Sequence, residues 1–477
     1  MKCIFNLLIS GILTTCILPR LDAQGYAIEW EDPIEVATSD YGQSNLRMEL
    51  DSDGLPIVLL GMTGPDGGLY STRWNGLQFD TPVPVTQETG LFINDSQGAR
   101  MAVYENEVLV SYQISGAWAQ GGRTTRSIDS GQNWLEPVSI APEATEDHFM
   151  PAPAFDENGL PWVALKWGVN PVLEGVLRWD EATQSYGPAE DGGFSFPGGI
   201  ACDCCASMPF EHEEVLYNAV RINNNNTRDF HLARTDALGQ WSESLDIDPT
   251  NWILGSCPAS KTEMALLGDG QFVFVFMSGA EGGSRAYWST VNPDSWSLSG
   301  SDRIQPGNDF IENNPSVSAH GNHCVSAWER NDGGYDIVVG ISENTADGMA
   351  TWANSNDVVT SSLSGHSRRP VIRIHNNTVH LVYQRPSEGI VHYRRGTVVT
   401  SDVPSEISAV SWTCKKREFG WLIHGCNTPF EWALFNAVGQ IIDSGKSADS
   451  MVQSTETGLG ILEIQAGNVR RAFHVNR

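Results

Sequence analysis

Cys202, Cys204 and Cys205 fall within four residues of a Gly-rich stretch, GGIACDCCASMP, and a fourth cysteine, Cys257, follows in GSCP. Thiols this dense support two chemistries. In an oxidising compartment they form disulfides, most simply Cys257 with one of the three and the other two as a vicinal pair. As thiolates they suit a soft metal, Cu(I) or zinc, with His148, Met150 and Met208 as further ligands. The spacing matches no established zinc signature, so the residues alone leave both readings open. Cys324, between His323 and Val325, reads as a buried core thiol.

A second chemical set is cationic. The 477-residue chain holds 29 Lys and Arg against 58 Asp and Glu, a net charge of −29. Such a balance repels phosphates and excludes nucleic acid as a partner. It does not exclude a local positive site, and six arginines, Arg47, Arg100, Arg221, Arg330, Arg369 and Arg385, recur at related places in a repeat.

The elements that must position these residues are short strands. A unit of apolar strand, polar turn, longer strand and Trp-bearing hairpin recurs seven times, starting near Leu46, Arg100, Pro151, Met208, Lys261, Pro315 and Pro370, at spacings of 51 to 57 residues. PAPAFDENGLPWVALKW, PSVSAHGNHCVSAW and PVIRIHNNTVHLVY show it plainly, with alternating apolar residues around turns of Asp, Asn, Gly and His. That period predicts an all-β fold, a seven-bladed β-propeller. Ile28 to Val36 reads as an outer strand with no blade before it, and the last unit runs out after Val399. The N-terminal strand is therefore expected to complete blade seven and close the ring.

Ser127 to Trp134, SIDSGQNW, fits the pattern Ser-x-Asp-x-Gly-x-x-Trp, and the chain here resembles the sialidase-like (BNR, Asp-box) propellers. The resemblance implies that Asp129 is structural and sits on the hairpin between a blade's third and fourth strands, away from the ligand face. True sialidases have six blades, so seven argue against a plain sialidase. Cys-x-Cys-Cys, followed a blade later by Trp252-Ile253-Leu254-Gly255-Ser256-Cys257-Pro258, further resembles a group of secreted bacterial Asp-box propellers. No activity follows from that group.

In a propeller the loops entering each innermost strand and those after each second strand open on one face. Arg47, Arg100 and Arg369 stand at or near the first kind of position, and Arg221, Arg330 and Arg385 at or just beyond the second. Guanidinium groups gathered there would form a funnel for an anionic ligand, binding carboxylate or sulfate bidentately. The alternative is that they pair with acidic neighbours such as Glu329, Asp147 or Glu263. The same topology puts Cys202 to Cys205 and Cys257 on equivalent loops of blades four and five, close together and opposite Asp129. Sialidases add a Tyr nucleophile activated by Glu, and an Asp acid. The resemblance assigns these roles to Tyr383, Glu329 and Asp147, with Asp203 as a second choice for the acid. Of the family's Tyr-Arg-Ile-Pro motif, Leu46-Arg47-Met48-Glu49 keeps the Arg.

The ends suggest export. Lys2, an apolar run from Ile4 to Leu13 and Ala23 read as a signal peptide over residues 1–23, and Leu13 to Cys16 as a weaker lipoprotein box. No other stretch is long and apolar enough to span a membrane. Residues 24–402 form the propeller, and residues 403–477 read as a small β-sandwich. Phe435 to Gln440 and Gly460-Ile461-Leu462 resemble the type A sorting domain of the type IX secretion system, though both lack its tyrosine. That resemblance implies the secretion machinery as a partner and passage through the periplasm to the cell surface or medium. Cys414 and Cys426 would pair there. Two functions of different class follow. One is a secreted or surface propeller that binds an anionic glycan, a sialic acid or uronate, and, if it is an enzyme, cleaves it as an exo-sialidase-like glycoside hydrolase or a polysaccharide lyase. The other is a non-catalytic surface binder with a disulfide-tied or metal-binding cysteine cluster.

Overall fold

The computed structural model describes residues 25–401, apart from 40–42, 66, 118–120, 144–145, 188–195, 198, 236–240, 308, 355–356 and 361–364, together with the strands between residues 413 and 476. The expected leader, Cys16 and Cys426 lie outside the described residues, and with Cys426 so does the expected Cys414–Cys426 pair. Tyr26–Val399 forms one compact unit, and a second takes in Thr400–Arg477.

The first unit is a seven-bladed propeller: six four-stranded antiparallel sheets and one five-stranded sheet. Blade 1 runs Gln43–Leu50, Pro56–Met62, Gly68–Arg73 and Val83–Pro84, in chain order from the axis outward. Blades 2 to 6 repeat it, their innermost strands being Arg100–Tyr104, His148–Phe155, Met208–His212, Glu263–Leu266 and Ile311–His320. Blade 7 is built from Arg368–His375, Thr378–Arg385 and Ile390–Ser401. Both N-terminal strands, Gly25–Trp30 and Ile34–Thr38, pair with Ile390–Ser401, so the first strands of the chain complete the last blade. The single outer strand expected over Ile28 to Val36 is broken at Glu31–Pro33, where Pro33 has no N–H to give the ladder.

Local chemistry explains the blades. In the hairpins between first and second strands of blades 1 and 3 an Asp side chain folds the turn: Asp51 Oδ1 accepts from the N–H groups of Asp53 (3.0 Å) and Leu55 (2.9 Å). Asp156 Oδ1 does the same for Asn158 (2.9 Å) and Leu160 (2.8 Å). Gly54 and Gly159 close these two turns at φ +75° and +78°, where a Cβ would be strained. Second strands such as Phe272–Ser278 are buried along their whole length, covered on both faces by neighbouring blades. Each apolar cluster accordingly draws on adjacent blades: Ile57, Leu59, Val108 and Val110 join blades 1 and 2, while Val58, Leu60, Val382 and Tyr393 join blades 1 and 7. A 3-10 segment, Asp347–Asn354, departs from the all-β pattern in blade 6 and delivers Trp352 into the core shared with blade 5.

The hairpin at Ser127 to Trp134 is tied by Asp129. Its Oδ1 accepts from Ser127 Oγ (2.7 Å) and Asn133 N (2.8 Å), and Oδ2 from Asn133 Nδ2 (2.7 Å). Trp134 Nε1 then donates to Ser71 Oγ of blade 1 at 2.8 Å.

In the second unit, Thr413–Arg417, Gly420–His424 and Met451–Gln453 form one sheet. Ile441–Ser447, Phe430–Asn436, Leu459–Ala466 and Val469–Asn476 form another, in that order.

Candidate functional site: a cationic axial mouth beside a cysteine cluster

The innermost strands of blades 1, 3, 6 and 7 each open with a bulge, at Ser44/Arg47, Phe149/Ala152, Asn313/Ser316 and Arg368/Val371. In each bulge one residue other than glycine takes a left-handed conformation: Asn45 (φ 56°), Met150 (φ 53°), Asn314 (φ 47°) and Arg369 (φ 57°). Such residues cost about 1–2 kcal/mol each, and the bulge re-aims the side chains beside it at the channel mouth.

Deeper in the channel an ion network crosses four blades. Arg373 of blade 7 grips Glu49 of blade 1 through two bonds, 2.8 and 2.5 Å, and reaches Glu263 of blade 5 (3.3 Å) and Ser316 Oγ of blade 6 (3.4 Å). Glu263 also pairs with Lys261 and accepts from Ser316 Oγ at 2.7 Å. Burial works to raise the Glu263 carboxyl, but the adjoining Lys261 and Arg373 charges outweigh it and hold the group down to about 2. Burial pushes Lys261 down to about 8, with Arg47 and Arg100 acting in the same direction against Glu263.

Above this network two guanidinium groups lack a carboxylate in contact among the described residues. Arg47 donates to the carbonyls of Leu46 and Asp95, each at 2.8 Å, and Arg100 to the carbonyl of Ser96 at 2.9 Å. Both side chains are 8% exposed, and both Nε atoms are buried without a hydrogen-bond partner. Burial lowers Arg47 to about 10, opposed by Asp95 and Glu263. Burial and then repulsion from Arg47 lower Arg100 to about 9. A guanidinium keeps its proton at neutral pH even so, and the site stays cationic.

The loop at Asn94 to Gly98 spans the mouth. Asn94 Oδ1 folds it by accepting from the N–H groups of Ser96 and Gln97, both at 2.9 Å. Asp95 accepts from Asn45 N (2.8 Å), Ser44 Oγ (3.0 Å) and Gln384 Nε2 (3.3 Å), and pairs with Arg369 at 3.3 Å. Burial alone would raise this carboxyl, but Arg369 and the donated hydrogen bonds bring it below its ordinary value. Gln97 Nε2 reaches the Cys204 carbonyl at 2.9 Å, so the loop links the arginines to the cysteines. Leu46, Arg47, Asp95, Lys261, Asn314 and Arg369 line a narrow concavity of about 10 Å³, room for one water.

Cys204 and Cys257 form a disulfide with Cα atoms 6.0 Å apart, joining the loops that precede blades 4 and 5. Cys202 and Cys205 are free and buried. Cys202 Sγ lies 3.4 Å from Cys204 Sγ and 3.8 Å from Cys205 Sγ, and Arg228 Nη1 donates to it at 3.1 Å. The hydrogen bond shared with Cys205 lowers Cys202 to about 6 against the cost of burial, with Arg228 assisting. Next to the cluster, Lys166 pairs with Glu174 in full burial, and Ser207 bonds both partners.

The structure divides the residues read from sequence. Arg47, Arg100 and Arg369 gather at the axial mouth, whereas the other three arginines do not. Arg221 is wholly buried, donates to Ser260 Oγ (3.0 Å) and the Met277 carbonyl (2.7 Å), and lies over the Phe230 ring at 4.0 Å. Arg330 pairs with Asp332 (3.2 Å) and lies over Phe310, and Arg385 pairs with Glu388 (2.7 Å). Tyr383 also needs correction. Its side chain is 0% exposed in the apolar core between blades 6 and 7, stacked on His392, and is closed to substrate. Glu329 is buried too, accepting from Asn314 Nδ2 (2.8 Å), Arg368 Nε (3.1 Å) and Arg369 N (2.6 Å), and it clamps the blade 6 and 7 bulges together. Asp147 is half-buried before blade 3, and Asp203 is exposed. Among the expected soft ligands, His148 stacks on Trp167 and Met208 packs against the aromatic cluster of blades 4 and 5. Met150 lies in the apolar cluster of blades 3 and 4.

The sequence pointed to Glu263 as an acidic partner for arginine, which Arg373 bears out, but gave no place to Glu49, Lys261, Arg373 and Asp95. A signal was present for the first three. Arg47-x-Glu49, Lys261-x-Glu263 and Arg373 place charges on one face of otherwise apolar strands, and only a shared axis lets them neutralise each other.

No protein-family model matches the chain, and no curated protein matches it in sequence. Among solved structures, an ulvan lyase, described as a polysaccharide lyase, is 12% identical over 78% of this chain and 94% of its own, with a TM-score of 0.46. An α-L-arabinofuranosidase from Fusarium graminearum is 12% identical over 80% of this chain and 98% of its own, TM-score 0.44. PorZ, a bacterial surface component of the type IX secretion system of Porphyromonas gingivalis, is 12% identical over 90% of this chain and 59% of its own, TM-score 0.44.

Proposed function

We propose that this is an exported propeller that binds an acidic glycan, a uronate or sialic acid, by one carboxylate or sulfate at the axial mouth. The observation that carries the reading is the pair Arg47 and Arg100, two buried guanidinium groups with unpartnered Nε atoms and, among the described residues, no carboxylate in contact, in a chain of net charge −29. Removing such donors from water is costly without an anion, and a ligand oxyanion supplies one. The concavity takes a single oxygen of an anionic group and not a sugar ring, so the rest of the group and the ring would lie above it, across the loop at Asn94 to Gly98. In this reading Asp95 holds Arg369 until a ligand carboxylate competes for it.

The function is binding. Tyr383 and Glu329 are both wholly buried, which favours binding over sialidase-type chemistry at these two residues. The Asp-box hairpin relates it to sialidase-like propellers through fold alone. Export follows from the N-terminal reading, with residues 1–23 as leader, 24–402 as propeller and 403–477 as a type IX sorting domain that brings the protein to the cell surface. N-terminal sequencing of surface-derived protein should start near Gln24; a start at Met1 would remove this part of the proposal.

The test is a panel of uronate-containing, sialylated, sulfated and neutral oligosaccharides presented to the full chain and to Arg47→Ala. Acidic members should bind, and the variant should lose about 2–5 kcal/mol of affinity. Binding of neutral glycans alone, or equal affinity in the variant, overturns the assignment.

A further inference from the structure

The Cys204–Cys257 disulfide has unlike ends. Cys204 is 7% exposed, whereas Cys257 lies on the exposed stretch after Trp252. A third sulfur, the wholly buried Cys202 Sγ, stands 3.4 Å from Cys204 Sγ. That is a reacting distance for attack on a disulfide. Arg228 Nη1, 3.1 Å from Cys202 Sγ, supplies the positive charge that favours a thiolate there. A disulfide that only tied two loops together would need neither a buried thiol beside its buried sulfur nor a guanidinium on that thiol.

We propose that the cluster is a thiol–disulfide exchange centre in which Cys202 displaces Cys257 from Cys204, presenting a reactive thiolate at the surface. The Cys202 thiolate, its proton having passed to water, donates an electron pair to Cys204 Sγ. A Cys202–Cys204 bond forms as the Cys204–Cys257 bond breaks, and the bond pair leaves on Cys257 as a solvated thiolate. One disulfide exists before and after, so the step needs no oxidant or reductant. The freed Cys257 then exchanges with a disulfide of a small molecule or of a surface protein. Its sulfur attacks R–S–S–R, forming Cys257–S–S–R and releasing RS⁻. Cys202 and Cys204 are buried, so Cys257 is the port through which any partner must react. The exchange is independent of glycan binding.

The experiment uses the oxidised full chain and a polyethylene glycol maleimide at about pH 7.5 without denaturant, followed by mapping of disulfide-linked peptides. The wild type should acquire one adduct, on Cys257, together with a Cys202–Cys204 link. Cys202→Ser should label at Cys257 about tenfold more slowly or not at all, and Arg228→Gln should slow labelling about threefold, by raising the thiol's pKa. An unlabelled wild type that keeps Cys204–Cys257 overturns the proposal, as does equal labelling of Cys202→Ser. If that variant does not fold, the wild-type map decides alone: a Cys202–Cys204 link supports exchange and its absence refutes it. Stoichiometric copper or zinc on the isolated protein, with Cys204–Cys257 unformed, refutes it in favour of a metal site.

Discussion

Arg47 and Arg100 sit on the innermost strands of blades 1 and 2, whereas Arg330 and Arg385 sit on the second strands of blades 6 and 7, one strand spacing farther from the axis. All four belong to the same face of the ring. The inner pair meets backbone carbonyls and each other's charge, while the outer pair meets the carboxylates of Asp332 and Glu388 in adjoining turns. One strand spacing, about 4.8 Å, separates a site from a set of local ion pairs. Loops after second strands bring their own acidic residues, but an axial position is too crowded for every cation to have one. Face and radius together decide which of these arginines pair with a neighbouring carboxylate and which do not.

The largest effect should come from below the mouth. Arg373→Ala leaves Glu49 and Glu263 facing each other without their shared cation, and loss of one partner of a buried pair costs about 3–5 kcal/mol. The Arg373 side chain is 16% exposed, so the lower end, about 3 kcal/mol, is expected in urea unfolding. A change below about 1 kcal/mol would mean that the axial network is no more than a set of solvated surface pairs.

A smaller effect is set by pH. Lys261, pushed down to about 8 by burial, should lose its proton as pH rises from 7 to 9.5, with Arg100, lowered to about 9, following at the top of that range, and affinity for an acidic glycan should fall by up to about tenfold. Stability moves the other way. The unfolded chain holds this proton up to its ordinary pKa of 10.5, so between pH 8 and 10.5 the group's contribution to folding rises. Weaker binding in that window is therefore not incipient unfolding. Affinity flat from pH 7 to 9.5 would exclude Lys261 from the site.

The blade count and the closure by the N-terminal strands were legible in the sequence, because a repeat of 51 to 57 residues with period-two strands admits few architectures. The closeness of Cys257 to Cys202, Cys204 and Cys205 was legible for the same reason, since equivalent loops of neighbouring blades must adjoin. Side-chain direction was not. Tyr383 ends a second strand as an exposed nucleophile would, yet strand alternation turns it into the core between blades. The bulges at Asn45 and Arg369 shift register by one residue, which no alternation count anticipates. Asp95 lies in a turn whose partners, Arg369 and Gln384, are more than 270 residues away along the chain, and only the closed ring brings them together.

The most direct measurement is a calorimetric titration of an acidic oligosaccharide into Arg100→Ala and Arg385→Ala, side by side with the unaltered chain. Arg100→Ala should lose at least about 2 kcal/mol, roughly 30-fold in affinity, while Arg385→Ala should stay within about twofold. Equal losses in both variants, or none in Arg100→Ala, would contradict the division between axial site and outer ion pairs.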